Sequence, residues 1–420
     1  MDHLVERRDD LRGWLAGSHL LRWCPVLALL PVLAGCPDDC HNCNVTFAKT
    51  EVSLGLVAGD FTNNGHTSVI ATSTVFQGPF AYGGNLKLYL STGADTFATP
   101  VFTPDGDDPL YLATADLNGD KLPDVVSASF NNAALAVFLN DNAAPGTFGA
   151  PVVLPSPGAT QLAILDMNGD GMPDIVSADY NVSLFLQSSP GVFATPVSLY
   201  PGGANWVALG DLNGDGVPDV ALTDGVGVKV LLQTGAAKTP TFAAPVSVYS
   251  EGPNGIPGLN LIAIEDVNGD GLNDLVITDP GPRPGATPTV QVLLQNAASK
   301  GTFLAPVSYA LPAYLRASSI IVTDVNGDGH PDIVVGGSTG VAVLLQDAAT
   351  PGTFMAATSY AAPNANQIAV ADINGDGFVD IIVGTGPPQP PVNQAYANTP
   401  GVLLQSATTP GTFGTLEALP

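Results

Sequence analysis

Short apolar runs recur along the chain after residue 45, separated by turns rich in Gly, Pro, Asn and Asp. Many of the runs are rich in Val, Ile or Phe and alternate along their length, as in VKVLLQ (228–233) and VAVLLQ (341–346). Runs of about four to eight such residues between turns are typical of β-strands. After residue 36 we find no segment with the periodicity of an amphipathic helix. The pattern therefore predicts an all-β protein.

The runs form a repeated unit of four. The first enters a nine-residue acidic loop, as in QLAILD (161–166), and the second leaves that loop, as in PDIVSAD (173–179). The third and fourth follow as VSLFLQ (182–187) and VFATPVSLY (192–200). The loops occur seven times and begin 45 to 58 residues apart. A period of this size is typical of repeat architectures, and four antiparallel strands per unit favour the blade of a β-propeller.

The acidic loop has the spacing of a cation site. In DLNGDGVPD (211–219), oxygen-bearing side chains occupy positions 1, 3, 5 and 9, and these are Asp211, Asn213, Asp215 and Asp219. A glycine at position 6 allows a sharp turn, and the carbonyl of position 7 is a further oxygen ligand. An all-oxygen set of this kind favours Ca²⁺ over Mg²⁺, which is smaller and releases its waters reluctantly. Strand-like residues flank the loop, so it predicts a calcium-binding β-hairpin.

Five further loops, at 116–124, 166–174, 266–274, 324–332 and 372–380, keep the same four ligand positions. Chance Asp-Gly turns without metal do not account for six repetitions of one spacing. The predicted ligands of these five loops are Asp116, Asn118, Asp120, Asp124, Asp166, Asn168, Asp170, Asp174, Asp266, Asn268, Asp270, Asp274, Asp324, Asn326, Asp328, Asp332, Asp372, Asn374, Asp376 and Asp380.

Two loops depart from the pattern. The first loop (60–68) carries Thr62, Asn64 and Ser68 at positions 3, 5 and 9, which leaves Asp60 as its one carboxylate. We expect weak or no calcium binding there, and therefore about six calcium ions in all. In the second loop Lys121 replaces the glycine of position 6. A lysine in the turn costs about 1 kcal/mol of conformational free energy, so we expect that loop to bind less tightly.

The combination DxNGDGxPD, GVxVLLQ and GTFxxPVSY resembles the FG-GAP/VCBS repeat, which occurs in integrin α-subunit heads and in many bacterial surface proteins. The resemblance covers residues 46–420. It implies a seven-bladed β-propeller of four-stranded antiparallel blades with calcium-binding hairpin loops. A solenoid like the RTX calcium β-roll is disfavoured because its repeats have about nine residues.

An imbalance in the strands suggests how the ring closes. The seven loops are accompanied by eight strands that begin with Thr-Phe or Val-Phe, because one lies before the first loop (46–54) and one after the last (412–419). A strand in excess at one end of the chain can complete the blade formed by the other end and so remove an exposed sheet edge. We therefore expect a strand exchange between the termini.

The N-terminus has the features of an export signal. Four arginines precede an apolar run, Val26 to Ala34, that is too short to span a bilayer. The run ends in LAGC (33–36), which resembles the lipobox of bacterial lipoproteins. That resemblance implies a signal peptide over residues 1–35, a lipid on Cys36 and a tether over residues 36–45. The alternative is an ordinary secretory signal. We expect a lipid-anchored protein of the bacterial cell envelope, facing the periplasm or the cell surface.

The charge of the chain limits its partners. The net charge is −26, and 19 of the 34 acidic residues after Cys36 fall in the seven loops. Phosphate binding needs clustered Lys and Arg, so nucleic acid is excluded as a partner. A solvated acidic surface accounts for the total charge but not for its spacing.

Strand alternation places the connections after the second and fourth strands on the face opposite the acidic loops. We call this the ligand face, because its connections vary in length and are rich in Gly, Pro and aromatic residues. The residue five positions before each loop lies at the rim of this face. Tyr111 and Trp206 occupy that position in two repeats and are candidates to stack on a sugar or peptide. Packing between blades is the alternative for either residue.

Catalysis is disfavoured by the residues present. After Cys36 the histidines are His41, His66 and His330, and none can form a Ser-His-Asp or Cys-His set on the ligand face. We expect a monomeric, non-enzymatic adhesion or binding scaffold that engages a protein or a glycan and touches the membrane through its lipid alone. A lectin-like carbohydrate-binding protein is the main alternative, and a polysaccharide-active enzyme is a weaker one.

Overall fold

The computed structural model describes residues 49–77, 80–94, 96–105, 109–129, 134–156, 159–178, 180–235, 238–250, 261–280, 287–385 and 400–419. The predicted signal peptide, Cys36 and the tether lie outside these ranges. The described residues form β-strands and turns and contain no helix, which confirms the predicted all-β class. Accordingly, they include no helix long and apolar enough to cross a membrane.

The strands form seven blades, numbered here in chain order. Blade 1 contains β1 (Lys49–Val52), β2 (Leu56–Gly59), β3 (Ser68–Gln77), β4 (Phe80–Tyr89), β5 (Ser91–Gly93), β6 (Thr96–Phe97) and β7 (Val101–Pro104). Blades 2 and 3 contain β8 (Pro109–Ala115), β9 (Asp124–Ser129), β10 (Ala134–Phe138), β11 (Val152–Pro155), β12 (Gln161–Leu165), β13 (Asp174–Ala178), β14 (Val182–Phe185), β15 (Gln187–Ser189), β16 (Val192–Phe193) and β17 (Val197–Tyr200).

Blades 4 and 5 contain β18 (Trp206–Gly210), β19 (Asp219–Thr223), β20 (Gly227–Leu231), β21 (Val246–Ser250), β22 (Ile262–Glu265), β23 (Asp274–Asp279), β24 (Thr289–Leu293) and β25 (Val307–Ala310). Blades 6 and 7 contain β26 (Ala317–Thr323), β27 (Asp332–Gly337), β28 (Gly340–Leu344), β29 (Thr358–Tyr360), β30 (Ala365–Ala371), β31 (Asp380–Thr385), β32 (Gly401–Leu403) and β33 (Glu417–Ala418).

Each blade is an antiparallel sheet built from strands that follow one another in the chain, as in β18-β19-β20-β21. The first strands of successive blades contact one another in a closed ring that runs from β2 through β8, β12, β18, β22, β26 and β30 back to β2. This arrangement is a seven-bladed β-propeller with the first strand of each blade innermost, as predicted. Each acidic loop joins the first strand of its blade to the second.

Burial follows the order of strands from the axis outward. The second strand is buried on both faces, as the run DIVVGG of β27 shows, because a neighbouring blade covers each side. Apolar residues of adjacent blades share cores; in one of them, Leu184 of blade 3 packs with Val220 and Leu222 of blade 4. The fourth strand lies at the outer edge and exposes side chains such as Val197 and Val246. The core therefore consists of apolar layers between blades.

The expected strand exchange between the termini is wrong. β1 pairs with β3 inside blade 1, and the last strand, β33, pairs with β32 inside blade 7. The ring closes by packing instead. Leu56 and Val69 of blade 1 share a core with Ile373 and Ile382 of blade 7. A buried core of this kind removes apolar surface from water at the junction, so no exchanged strand is needed to hold it.

The fourth strand also differs from its predicted extent. Its opening phenylalanine pairs in an isolated bridge with the last residue of the third run, as Phe242 does with Gln233. The ladder then breaks and resumes at Val246, directly after Pro245. Proline has no N–H to donate, which explains the interruption in the repeats that carry Ala-Pro there.

Gln367 forms hydrogen bonds across the junction between blade 7 and blade 1, where the ring closes. Its side-chain oxygen accepts a hydrogen bond from Leu56 N at 2.9 Å, and its amide donates to Leu112 O at 3.0 Å. We expect Gln367→Leu to lower the free energy of unfolding by about 1–3 kcal/mol, because a buried N–H loses its acceptor. Urea denaturation measures this change. Ser359→Ala, at an exposed position of β29, is the control, and equal stability of the two variants would contradict the prediction.

Candidate functional site

Each acidic loop is fixed in the blade by two buried residues. In the loop of blade 4 these are Leu212 at position 2 and Asp219 at position 9, and neither side chain is exposed. Position 2 is a buried apolar residue in all seven loops, from Phe61 to Ile373. The loop thus has an apolar anchor at its start and a buried acceptor at its end, while the residues between them reach the surface.

Side-chain oxygens of the loop accept hydrogen bonds from the backbone N–H groups of the same loop. Asp211 Oδ1 accepts hydrogen bonds from Gly214 N at 2.6 Å and Asp215 N at 3.2 Å, and its Oδ2 accepts one from Gly216 N at 2.8 Å. Asp215 Oδ1 accepts a bond from Val217 N at 2.9 Å. Gly216 has φ of 86°, the left-handed conformation predicted for position 6. The loop is therefore shaped by its own carboxylates and amides.

The carboxylate of position 9 ties the loop to the rest of the blade. Asp219 Oδ2 accepts a hydrogen bond from Leu212 N at 2.8 Å, and Oδ1 accepts one from Gln233 N at 2.6 Å. Burial raises the pKa of Asp219 to about 6, and the two backbone hydrogen bonds oppose that rise. The nearby carboxylates of Asp215 and Asp211 raise it further. The same two bonds recur in the other five full loops.

The first loop keeps this scaffold with one carboxylate. Asp60 accepts bonds from Asn64 N at 3.0 Å and Gly65 N at 2.7 Å, as position 1 does elsewhere. Asn64 Oδ1 accepts from His66 N at 2.9 Å, and Ser68 Oγ accepts from Ser91 N at 2.9 Å. Asn64 therefore replaces the position 5 carboxylate, and Ser68 makes one of the two position 9 bonds, while Phe61 N donates to Gly59 O at 3.1 Å instead. The loop of blade 1 thus folds with a single carboxylate, and the position 5 carboxylates of the other six loops add charge that its hydrogen bonds do not require.

The donor chemistry of the six full loops fits calcium, because every side chain at positions 1, 3, 5 and 9 offers oxygen and position 6 provides the turn. Among the described residues, however, no three acidic, histidine or cysteine side chains group closely enough to enclose a metal ion. The position 9 carboxylates are each held by two backbone N–H groups, as Asp219 is. The groups that would hold an ion on the loop surface are those of positions 1, 3 and 5, and the full ligand set remains a prediction.

Two lysines modify individual loops. Lys121 has φ of 74°, so the loop of blade 2 adopts the left-handed turn despite lacking glycine, at the conformational cost that the sequence predicted. Lys300, in the hairpin between the third and fourth strands of blade 5, reaches across to the loop of blade 4. Its Nζ lies 3.4 Å from Gly214 O. Lys300 is 86 residues from Gly214 in the chain, so no local sequence signal indicates this contact.

A further residue missed from the sequence is the amide at the end of the third run. Gln405 Nε2 donates to Val325 O of the preceding blade at 2.7 Å and to Val379 O at 2.6 Å, and its Oε1 accepts from Gly411 N at 2.6 Å. Asn140 and Gln187 bridge to the preceding loop in the same way. The available signal was the polar residue that ends each apolar run, as in LLQ.

The two candidate rim residues are packed together. Trp206 is 9% exposed, and its Nε1 donates to Ile262 O of the next blade at 3.1 Å. Tyr111 is half-buried, and its ring meets that of Trp206 edge to face at 5.6 Å. The burial of Trp206 and the contact between the two rings disfavour stacking of a sugar on either. This geometry favours packing between blades, the alternative stated from the sequence, because both residues fill the crowded centre of the ring.

The ligand face retains polar contacts between its turns. Asp224 forms an ion pair with Lys229 and accepts a hydrogen bond from the Tyr200 hydroxyl at 3.3 Å. Asp279 accepts one from the Tyr249 hydroxyl. The connections of this face also contain Phe76, Phe80, Tyr82, Tyr396 and Arg283, whose side chains lie outside the described residues.

Comparison with known proteins agrees with the fold. A profile of the FG-GAP-like repeat matches residues 60–127, 116–177, 166–222, 266–335 and 324–383. Comparison with curated proteins found no match.

Two solved structures illustrate the likeness. A lectin from Agrocybe aegerita, described for specific recognition of non-reducing terminal N-acetylglucosamine, has a TM-score of 0.51 and 20% identity over 75% of this chain and 80% of its own. A putative 6-phosphogluconolactonase from Bacteroides uniformis has a TM-score of 0.53 and 12% identity over 88% and 95%. At these identities the likeness shows the fold alone.

Two substitutions separate the structural carboxylate from its exposed neighbour. In the presence of chelator, we expect Asp219→Ala to lower the free energy of unfolding by about 1–3 kcal/mol for each backbone N–H left unpaired. Asp215→Asn should change it by less than about 0.5 kcal/mol, since Asn64 serves at the same position in blade 1. Urea denaturation of both variants is the measurement. Equal stability of the two would show that position 9 does not tie the loop to the blade.

Proposed function

The chain belongs to the FG-GAP-like repeat family, and from that premise we propose that it is a calcium-stabilised binding scaffold of the bacterial cell envelope. A lipid on Cys36 would anchor it, and the propeller would act as a monomer that engages a protein or glycan through its ligand face. The observation that carries the calcium role is the contrast between blade 1 and the other six blades.

That contrast supplies an internal control. Blade 1 folds its loop with Asp60, Asn64 and Ser68, so the hydrogen bonds of the loop do not require three negative charges. In the other loops three carboxylates lie within nine residues and repel one another by roughly 1 kcal/mol per pair, even at high dielectric. A divalent cation converts this repulsion into attraction. Calcium bound at these loops would therefore stabilise each blade at its inner hairpin.

The two faces of the ring differ in charge, which supports the ligand face as the binding surface. The acidic loops concentrate carboxylates on one face. On the other face, the described carboxylates of Asp224 and Asp279 are engaged by Lys229, Tyr200 and Tyr249. A neutral or anionic partner would meet less repulsion there.

We expect binding without catalysis. His66 and His330 lie in acidic loops on the face opposite the ligand face, and no nucleophile is paired with either of them by a described hydrogen bond. The phosphogluconolactonase likeness, at 12% identity, extends to the fold and does not transfer an activity.

A lectin-like role is the second candidate. The observation that favours it is the presence of exposed tyrosines on the ligand face, with Tyr180 62% and Tyr314 77% exposed. Aromatic rings presented to solvent suit stacking on sugars. A fungal lectin shares the fold, although its sugar cannot be carried over at 20% identity.

Calcium removal tests the stabilising role. We expect a chelator to lower Tm sharply, because at 100-fold excess over Kd each site adds about 2.7 kcal/mol to the folded state. Equilibrium dialysis should find about six calcium ions per chain. The triple variant Asn213→Thr, Asp215→Asn, Asp219→Ser gives blade 4 the residues of blade 1 and should bind one ion fewer. A Tm unaffected by chelator would exclude calcium as a stabilising ion.

A glycan array and a pull-down from bacterial envelope extract, each run with calcium and with chelator, test the partner class. Recovery of a specific envelope protein with a blank array would support a scaffold that works through protein contacts. Calcium-dependent binding to particular glycans would support the lectin-like role. Absence of both would contradict a binding function.

A further inference from the structure

One turn on the ligand face holds a bulky residue in an unfavourable backbone conformation. Tyr314, in the connection from β25 to β26, has φ of 66° and a side chain that is 77% exposed. A left-handed backbone is uncommon for residues other than glycine, asparagine and aspartate, and for an aromatic residue it costs conformational free energy. Because the ring of Tyr314 is exposed, packing in the core does not offset this conformational cost.

The turn is held rigidly from both sides. Leu315, next to Tyr314, is 2% exposed and donates its N–H to Pro312 O at 3.1 Å. Ser338 Oγ donates to Tyr314 O at 3.1 Å and accepts from Arg316 N at 3.1 Å. Ser338 N in turn donates to Arg316 O at 3.1 Å. These hydrogen bonds hold the backbone of the turn, and the side chains of Tyr314 and Arg316, on either side of Leu315, are exposed to solvent.

The following blade shows what this kind of turn needs. In the connection from β29 to β30, the left-handed position is occupied by Asn364, with φ of 60°. Its N–H bonds to Ser338 O at 3.1 Å, so both connections are tied to the same turn of blade 6. Asparagine tolerates this conformation because its short side chain can bond locally. The fold thus accepts asparagine at a left-handed position of this kind. Folding alone therefore does not explain why residue Tyr314 is a tyrosine.

The neighbouring charge supplies a second functional group. Arg316 is exposed, and within the described residues its guanidinium makes no ion pair and no hydrogen bond. The chain has a net charge of −26 and only eight basic residues after Cys36, so few cationic side chains are available to bind an anion. A guanidinium binds a carboxylate through two parallel hydrogen bonds.

We propose that Tyr314 and Arg316 bind a carboxylate-bearing sugar, with the tyrosine ring stacked on the pyranose and the guanidinium paired with its carboxylate. This inference rests on the proposed function and identifies a site and ligand class for it. The scatter of exposed apolar side chains on the described part of this face favours a sugar over a protein. The described exposed apolar side chains of this face include Tyr180, Val226 and Tyr314, which lie on turns of three different blades. A protein interface needs a continuous patch of about 800 Å² per partner.

Titration calorimetry with four acidic probes tests the proposal: oligogalacturonate, oligomannuronate, hyaluronan oligosaccharide and sialyllactose. We expect at least one to bind, and for an oligogalacturonate its methyl ester, which keeps the sugar but loses the charge, to bind about tenfold more weakly. Tyr314→Asn and Arg316→Gln should each weaken binding of the acidic probe about tenfold. Arg316→Gln should also remove the preference for the acid over the ester or, for another probe, over its uncharged analogue.

Tyr180→Asn is the matched control, because it removes another exposed tyrosine of the same face, and its affinity should match that of the unaltered protein. Tyr314→Asn should melt at the same or a higher temperature, since asparagine suits the backbone. A lower melting temperature would show that the tyrosine is structural and would overturn the proposal. Failure of all four probes, or affinities unaffected by Tyr314→Asn and Arg316→Gln, would also overturn it. The broader binding function would survive if the array or pull-down still identified a partner.

Discussion

A buried carboxylate accepting two backbone hydrogen bonds holds each full acidic loop to its blade. Asp219 joins Leu212 at the start of the loop to Gln233 at the end of the third run, so one side chain connects three strands. A carboxylate without such partners would be costly to bury, and the raised pKa of Asp219, about 6, records that cost even with them. The position of the loop surface, where an ion would bind, therefore depends on a bond made in the interior.

This bond belongs to a larger system that joins neighbouring blades at both ends of the inner strands. Near the acidic loops, Gln405 and Gln187 donate to carbonyls of the preceding blade. At the opposite end, Gln161 accepts from Val207 N of the next blade at 2.9 Å, and Gln367 does the same for Leu56 N. The two sets run in opposite directions around the ring. Blades 3 and 7 carry both kinds of glutamine, so side-chain hydrogen bonds join them to their neighbours at both ends, in addition to the apolar layers between blades.

The architecture was predictable from spacing because the strand period, the turn residues and the loop ligands repeat together. Their common period defines the structural unit, which is one blade. Interactions that cross between blades were not predictable in this way. The place of Trp206 at the start of an inner strand predicts a position at the rim of the ligand face, but not its contact with Tyr111, which comes from a blade two positions away. The closure of the ring was predicted wrongly for the same reason. The sequence around Leu56 or Ile373 does not indicate that these two residues share a core. The glutamines ending the third runs were visible but had no evident partner in the chain.

The repeats also serve as controls for one another, and their differences carry the functional argument. Blade 1 shows that the loop can fold with one carboxylate, because Asn64 makes the position 5 bond and Ser68 makes the bond to the residue after the third strand. Asn364 shows in the same way that a left-handed turn at a blade junction does not demand the ring of Tyr314. In both comparisons the chain keeps residues that the fold does not require. The additional loop carboxylates repel one another, and Tyr314 adopts an unfavourable backbone conformation. Such costs persist where another interaction offsets them, and a bound ligand is the simplest source of that interaction.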